Sequence, residues 1–167
     1  MHGLPICRFP DPLLKRPTHS VERVDRSVAA FVDQLIATMR SHPRCVGLAA
    51  PQVGSPLRIA VMDGSGHSKV SNSHGMLILI NPRIVAAEGE WIQREGCLSI
   101  PDFTASVRRA ERIRLTALDV SGIARTWTLE GFEAVIAQHE VDHLDGTLFL
   151  DRLASHRTDV LPRKTYG

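Results

Sequence analysis

EGFEAVIAQHEVDHLDG, residues 130–146, sets two imidazoles four positions apart at the end of an apolar run. Phe132, Val135 and Ile136 recur at helical spacing, His139, Glu140 and His143 continue their face, and Gly146 follows as a C-terminal stop. Residues i and i+4 of a helix stand about one turn apart, so both rings can converge on one point, here on the side turned toward the core. This is HExxH spacing: two neutral imidazoles can bind a divalent ion while the intervening Glu140 reaches a water on it. Taken alone, the stretch is equally a helix with two polar residues at the edge of its buried face. The metal reading therefore needs a third ligand.

Cys97, Cys45, Cys7, Asp145 and Asp151 are the candidates, and His156 is the sole imidazole beyond Gly146. An upstream cysteine is the more attractive choice. Cys97 lies in EGCLSIP, a turn-like stretch before a strand, where a thiolate could be held rigidly opposite the helix; the plainer role of a free cysteine is that of a small buried hydrophobe. The three cysteines are odd in number, far apart and without a CxxC pair, so reduced thiols rather than a disulfide framework are expected.

The 167 residues, 43% of them apolar, are enough for one globular domain (1–167) with its own core. Twenty basic and 18 acidic residues leave a formal charge of +2, which indicates neither a nucleic-acid stripe nor a polybasic membrane anchor. The local RRAERIR, 108–114, alternates with Ala110, Ile113 and Leu115 and reads as the solvated face of a strand. MHGLPICRFPDPLLKRP breaks at Pro5, Pro10 and Pro12 and lacks the apolar run of a secretory signal. No segment approaches the ~18 apolar residues of a spanning helix. A soluble, cytoplasmic protein is the expectation.

Before the HExxH segment, VDRSVAAFVDQLIATMRSHP places Val24, Val28, Phe31, Val32, Leu35, Ile36 and Met39 at three- and four-residue intervals, the stripe of an amphipathic helix with Asp25 as N-cap and Pro43 as stop. CVGLAAPQVGSP, 45–56, is small, glycine-containing and proline-interrupted, a loop or short extended piece. Runs with β character follow at 57–63, 76–81, 83–91, 112–120 and 125–130, and the polar 64–75 between two of them suits an exposed hairpin loop. The order predicts an α+β fold: mainly antiparallel β-sheets packed around the HExxH helix of the C-terminal half, with an N-terminal amphipathic helix.

Three stretches, CVGLAAPQ (45–52), EGCLS (95–99) and QHEVDH (138–143), resemble the three signature motifs of the peptide deformylases in order and separation. The likeness extends to the opening helix, the turn at Asn81 and Pro82, and the run at 109–111, over roughly residues 4–153. It implies an enzyme of N-terminal methionine processing in protein biosynthesis, a hydrolase that removes the formyl group from the initiator methionine of new polypeptides. The resemblance assigns Cys97, His139 and His143 to one divalent metal ion per chain, a set that leaves a position open for water. Ligand softness alone points to Zn2+; the resemblance instead implies Fe2+ as the native ion, with Ni2+, Co2+ or Zn2+ able to take the site.

By the same resemblance, Glu140 takes a proton from the activated water and returns it to the departing amine. The side-chain amide of Gln52 and the backbone N–H of Leu98 face the charge that gathers on the formyl oxygen. Glu95 pairs with Arg109 and fixes the EGCLS turn. Val46 and Gly47 offer backbone to an extended formyl-methionyl nascent peptide, at the ribosome or free, and Val135, Ile136 and His139 wall a methionine pocket. No specific nucleic-acid sequence and no membrane is expected as partner, and a monomer is.

One departure concerns the first motif, which in the family opens with glycine and here with Cys45, a side chain that could narrow the groove or bring a second thiol near the metal. Another is the short segment after Asp151, which lacks a long helical pattern. Two other readings stay open: a broader HExxH metallopeptidase cutting internal bonds, and a deformylase-like protein of altered substrate range that uses the groove only for binding.

Overall fold

The computed structural model describes residues 3–155 and 159–164. His156 lies outside them. Two helices, α1 (Arg26–Ser41) and α2 (Gly131–Leu144), are set among eight strands: β1 (Gly47–Ala49), β2 (Ile59–Asp63), β3 (Met76–Glu88), β4 (Trp91–Cys97), β5 (Ile100–Arg109), β6 (Arg112–Leu118), β7 (Ala124–Glu130) and β8 (Val160–Pro162). All pairings between strands are antiparallel, in a five-stranded sheet of order β1-β2-β3-β6-β7 and a three-stranded sheet of order β4-β5-β8. No helix among the described residues is long and apolar enough to cross a membrane.

Helix α1 forms where its periodicity predicts. The Asp25 carboxylate accepts from the N–H groups of Ser27 and Val28, satisfying two otherwise orphaned donors of the first turn. The buried stripe Val28, Val32, Leu35 and Met39 packs on Leu48, Ile59, Val61 and Ile80. The other face of the same sheet, through Ala49, Ala60, Met62, Leu77 and Leu79, receives Ile136, Ala137, Val141 and Leu144 of α2. Strand β2 is thus covered on both faces, its alternate residues feeding two cores, and for that reason reads in sequence as an unbroken apolar run.

Strand boundaries differ from expectation at two places. The runs 76–81 and 83–91 form one strand, β3, which passes Asn81 and Pro82 as a bulge between the Ile80↔Leu118 and Arg83↔Thr116 pairs. Asn81 takes a left-handed φ of 54°, and its side-chain amide accepts from Val21 N–H and donates to Val21 C=O, each at 2.8 Å, so it does a strand backbone's work toward the N-terminal segment. Trp91, assigned to the end of that run, instead opens β4. WIQREGC hides its strand character because its exposed face carries Ile92, Arg94 and Gly96. Strand β8 was also not foreseen: three residues make no periodic signal, and pairing with Phe103–Ala105 of β5 creates it.

Gly146 ends α2 at φ 73°, and a Cβ there would stand 2.8 Å from the carbonyl carbon of Arg16 and 2.9 Å from the carbonyl carbon and oxygen of Lys15. Backbone blocks it on one side and left-handed strain opposes it on the other. Gly146→Ala is expected to remove about 3 kcal/mol of stability and lower Tm by roughly 6–12 °C; thermal unfolding followed by circular dichroism measures it.

Candidate metal centre

Helix α2 is buried almost all round: Ala134, Val135, Ile136, Ala137, Val141 and Leu144 share it with the buried polar residues Glu133, Glu140, Asp142 and His143. Its polar groups lie on more than one side, rather than along the single stripe that the sequence suggests. On one side His139 and His143 meet the end of β4. One donor atom from each of Cys97, His139 and His143 lies within 4.8 Å of the others, and Cys97 Sγ stands 3.2 Å from His143 Nε2. The rings lie 4.9 Å apart at 77°. Three of the other candidate ligands are engaged elsewhere. Asp145 pairs with Arg58 at 2.7 Å, Asp151 with Lys15 at 2.5 Å, and Cys7 packs beneath the smaller sheet.

Of the three donors, His139 is held by a chain of partners behind it. His139 Nδ1 is 2.7 Å from Glu95 Oε2, which directs Nε2 to the sulfur side, and its ring stacks on buried Phe149 at 6.2 Å. Glu95 in turn accepts two bonds from Arg109, at 2.7 and 2.9 Å, as the sequence reading expects. Arg109 donates a third to Asp142 at 2.5 Å, and Arg152 closes the far side of Asp142 at 3.0 and 3.2 Å. Arg109 is 5% exposed, so within RRAERIR it breaks from the solvated face expected there, while Arg108, Arg112 and Arg114 keep to it. Its charge is held out of water by two carboxylates arranged around it, Glu95 and Asp142.

The electrostatics favour positive charge beside the sulfur. Burial pushes the Cys97 thiol up, yet the two imidazoles hold it well below the ordinary thiol value. Burial opposes a proton on His139, yet Cys97 and Glu95 hold that ring well above its ordinary value. A proton on the imidazole, or a cation shared by three donors, satisfies the thiolate. His143 Nδ1 and Glu140 Oε2 are buried without a hydrogen-bond partner among the described residues. A soft sulfur and two ring nitrogens so disposed fit a divalent transition ion.

Gln52 comes to the same point from a one-turn 3-10 helix at Ala50–Val53. Its Oε1 accepts from Ala49 N–H at 3.0 Å, which turns the amide nitrogen toward Cys97 Sγ at 3.3 Å and Ser99 Oγ at 3.2 Å. Leu98 follows Cys97 in the tight turn that joins β4 to β5. Gly47 of β1 faces Glu140: a Cβ there would stand 2.8 Å from the carboxyl carbon and 2.9 Å from Cγ. Burial pushes the Glu140 carboxyl up to about 7, against the pull of His139 and His143.

These groups line one side of a cleft of about 1530 Å3, larger than the roughly 300–1,000 Å3 of a small-molecule site. Val46, Gly47, Leu98, Val135 and Ile136 all reach it. Strand β1 is a sheet edge. Val46 C=O is taken by Asp63 N–H at 2.8 Å and so turns toward β2, and by ladder alternation the Gly47 backbone faces the free side. Val46 contributes side chain to the wall. Cys45 also lines the cleft, where its thiol donates to Gly47 C=O at 3.1 Å and burial, with Glu140 nearby, pushes it up to about 12. The loop 64–75 is less free than its composition suggests. His67 stacks on Phe132 at 4.4 Å, and Glu133 binds His74 through Nδ1 at 2.6 Å and N–H at 2.8 Å.

A family model described as polypeptide deformylase matches residues 4–159. The chain belongs to the polypeptide deformylase family. It is 39% identical over 161 residues to a peptide deformylase of Syntrophobacter fumaroxidans, covering 96% of this chain and 92% of that one. With the Dictyoglomus thermophilum peptide deformylase it shares 44% over 147 residues, 88% and 90% of the two chains. The crystal structure of the Thermotoga maritima peptide deformylase superposes with a TM-score of 0.84 at 35% identity, over 93% of this chain and all of the other. An actinonin-bound structure from Acinetobacter baumannii superposes at 0.82 with 30% identity, over 92% and 100%. The α+β architecture of this deformylase and the grouping of its three donors agree with that membership.

Ser99, Asp142 and Arg152 escaped the sequence reading. Ser99 and Asp142 lie inside the quoted motifs, but nothing local says that one receives the Gln52 amide and the other Arg109. Arg109→Met would leave Glu95 with His139 alone and Asp142 with Arg152 alone, each short of its buried counter-charge, for an expected loss of about 3–5 kcal/mol by denaturant unfolding. Loosening His139, it should also weaken metal affinity roughly 10–100-fold, measured by Co2+ titration of the thiolate charge-transfer band.

Proposed function

We propose that this deformylase removes the formyl group from the N-terminal methionine of newly made polypeptides. The supporting observation is the grouping of Cys97, His139 and His143 within 4.8 Å at the side of a cleft wide enough for several peptide residues, with Glu140 and Gln52 adjoining. The three donors would hold one divalent ion, with Fe2+ as the native species and Zn2+, Ni2+ or Co2+ as alternatives, to be decided by metal analysis of anaerobically purified protein. Residues 1–167 act as one catalytic domain, monomeric and cytoplasmic, on nascent chains at or near the ribosome.

A bound divalent ion supplies Lewis acidity, polarising oxygen and lowering the pKa of water. The chain's own groups do the rest. Glu140, poised near neutrality, accepts a proton from the attacking water as its oxygen bonds to the formyl carbon. The Gln52 amide, locked by Ala49 N–H, and the Leu98 N–H donate to the formyl oxygen as it gains negative charge. Glu140 then delivers the proton to the nitrogen as the C–N bond breaks, giving formate and a free amine. Val135 and Ile136 receive the methionine side chain, and the Gly47 backbone pairs with the extended peptide. Glu95 and Arg109 position His139.

Glu140→Gln is expected to keep the metal while formate release from formyl-Met-Ala-Ser falls roughly 10²–10⁴-fold; undiminished turnover would remove Glu140 from the mechanism. Acetyl-Met-Ala-Ser should remain uncleaved. Internal cleavage of either peptide would favour a general metallopeptidase, and metal-loaded protein that binds without turnover would favour a binding role. Gly47→Ala displaces the end of a flexible carboxylate rather than backbone, so kcat should drop by about tenfold or more while Tm shifts little.

A further inference from the structure

Beyond the methionine pocket, the cleft is charged with one sign. Arg8, Arg44, Arg94, Arg163 and Lys164 line it, all five exposed. None of them forms an ion pair with a carboxylate among the described residues. Among the described residues the only acidic side chains on the cleft wall are Glu95 and Glu140, both buried beside the metal donors, and Glu95 is already neutralised by Arg109. This is a local excess in a chain whose formal charge is only +2.

The fold builds this cluster at one end. Arg94 on β4 donates from Nε and Nη2 to Thr104 Oγ1 of β5 at 3.0 and 2.7 Å, which fixes its guanidinium at the rim with other N–H groups still free to donate. Strand β8 pairs Leu161 with Thr104, so the chain returns to the same spot, and Arg163 N–H donates to Asp102 C=O at 2.8 Å. The Arg163 guanidinium lies 3.4 Å from where a Cβ on Gly96 would stand, directly before Cys97. Two arginines, one on β4 and one just past the end of β8, the two strands that border β5, thus flank the way out of the site. A short C-terminal strand, silent in the sequence, delivers half of the pair.

We infer that Arg94 and Arg163, with Lys164, form an anion subsite that selects acidic side chains in the residues following formyl-methionine. Guanidinium forks suit carboxylates, and several cations along one low-dielectric wall raise the local concentration of a negative partner. This rests on the deformylase reading of the site and adds a substrate preference to it.

The test compares C-terminally amidated formyl-Met-Ala-Glu-Glu, formyl-Met-Ala-Gln-Gln and formyl-Met-Ala-Lys-Lys by formate release, and their labelled acetyl analogues by fluorescence anisotropy, with the metal-loaded enzyme. The Glu peptide is expected to exceed the Lys peptide in kcat/KM by roughly tenfold or more at low salt, through KM, with the gap closing at about 1 M salt, where the Debye length is near 3 Å. The Arg94→Glu, Arg163→Glu double variant should reverse the order in both measurements. Equal kcat/KM for all three, with formate released, overturns the subsite and leaves the deformylase standing. Tighter binding of the acidic analogue without formate from any peptide supports the subsite and sinks the deformylase reading. A Glu preference that survives the double variant assigns it to other residues and overturns the proposal.

Discussion

A guanidinium withdrawn from water persists only where carboxylates surround it, and Arg109 meets that condition by binding Glu95 of β4 and Asp142 of α2 at once. The two carboxylates belong to different layers, so the buried charge works as a joint between the smaller sheet and the central helix. Glu95 then passes the constraint on to His139. Where Cys97 sits relative to the two rings is therefore decided two residues upstream, by an ion pair that touches no metal donor itself except through Glu95.

The same joint explains how a helix with so many buried polar groups can be stable. Glu133, Glu140, Asp142 and His143 would each be expensive in an apolar core. Asp142 is answered by Arg109 and Arg152, and Glu133 by His74 of the 64–75 loop. His143 and Glu140 each retain an atom unpartnered among the described residues, and these two lie beside the proposed metal position. Satisfied polar groups carry the architecture, and the unsatisfied ones stand where the proposed function places a ligand and a proton.

Approach distances complete the picture. Gly47 lets β1 run against Glu140, and Gly146 lets α2 end against the backbone of Lys15 and Arg16. The sequence marks Gly146 as a helix stop and Gly47 as backbone for a peptide, but not these close approaches, because the atoms they avoid come from residues about 93 and 130 positions away along the chain.

Local pattern alone determined α1 with its Asp25 cap, the span and stop of α2, the strand character of β2, and the pairing of His139 with His143, because helical periodicity, capping and i,i+4 spacing are properties of neighbours in the chain. The three motifs together also named Cys97 and Gln52. What the sequence left undecided was long-range: the continuation of β3 through Asn81 and Pro82, the existence of β4 and β8, the burial of Arg109 inside a basic run, and the service of Ser99 and Asp142. Each depends on a partner far away along the chain. A bulge, an edge strand or a buried ion pair acquires its free energy only when the second element arrives, so no window of sequence around the first can contain it.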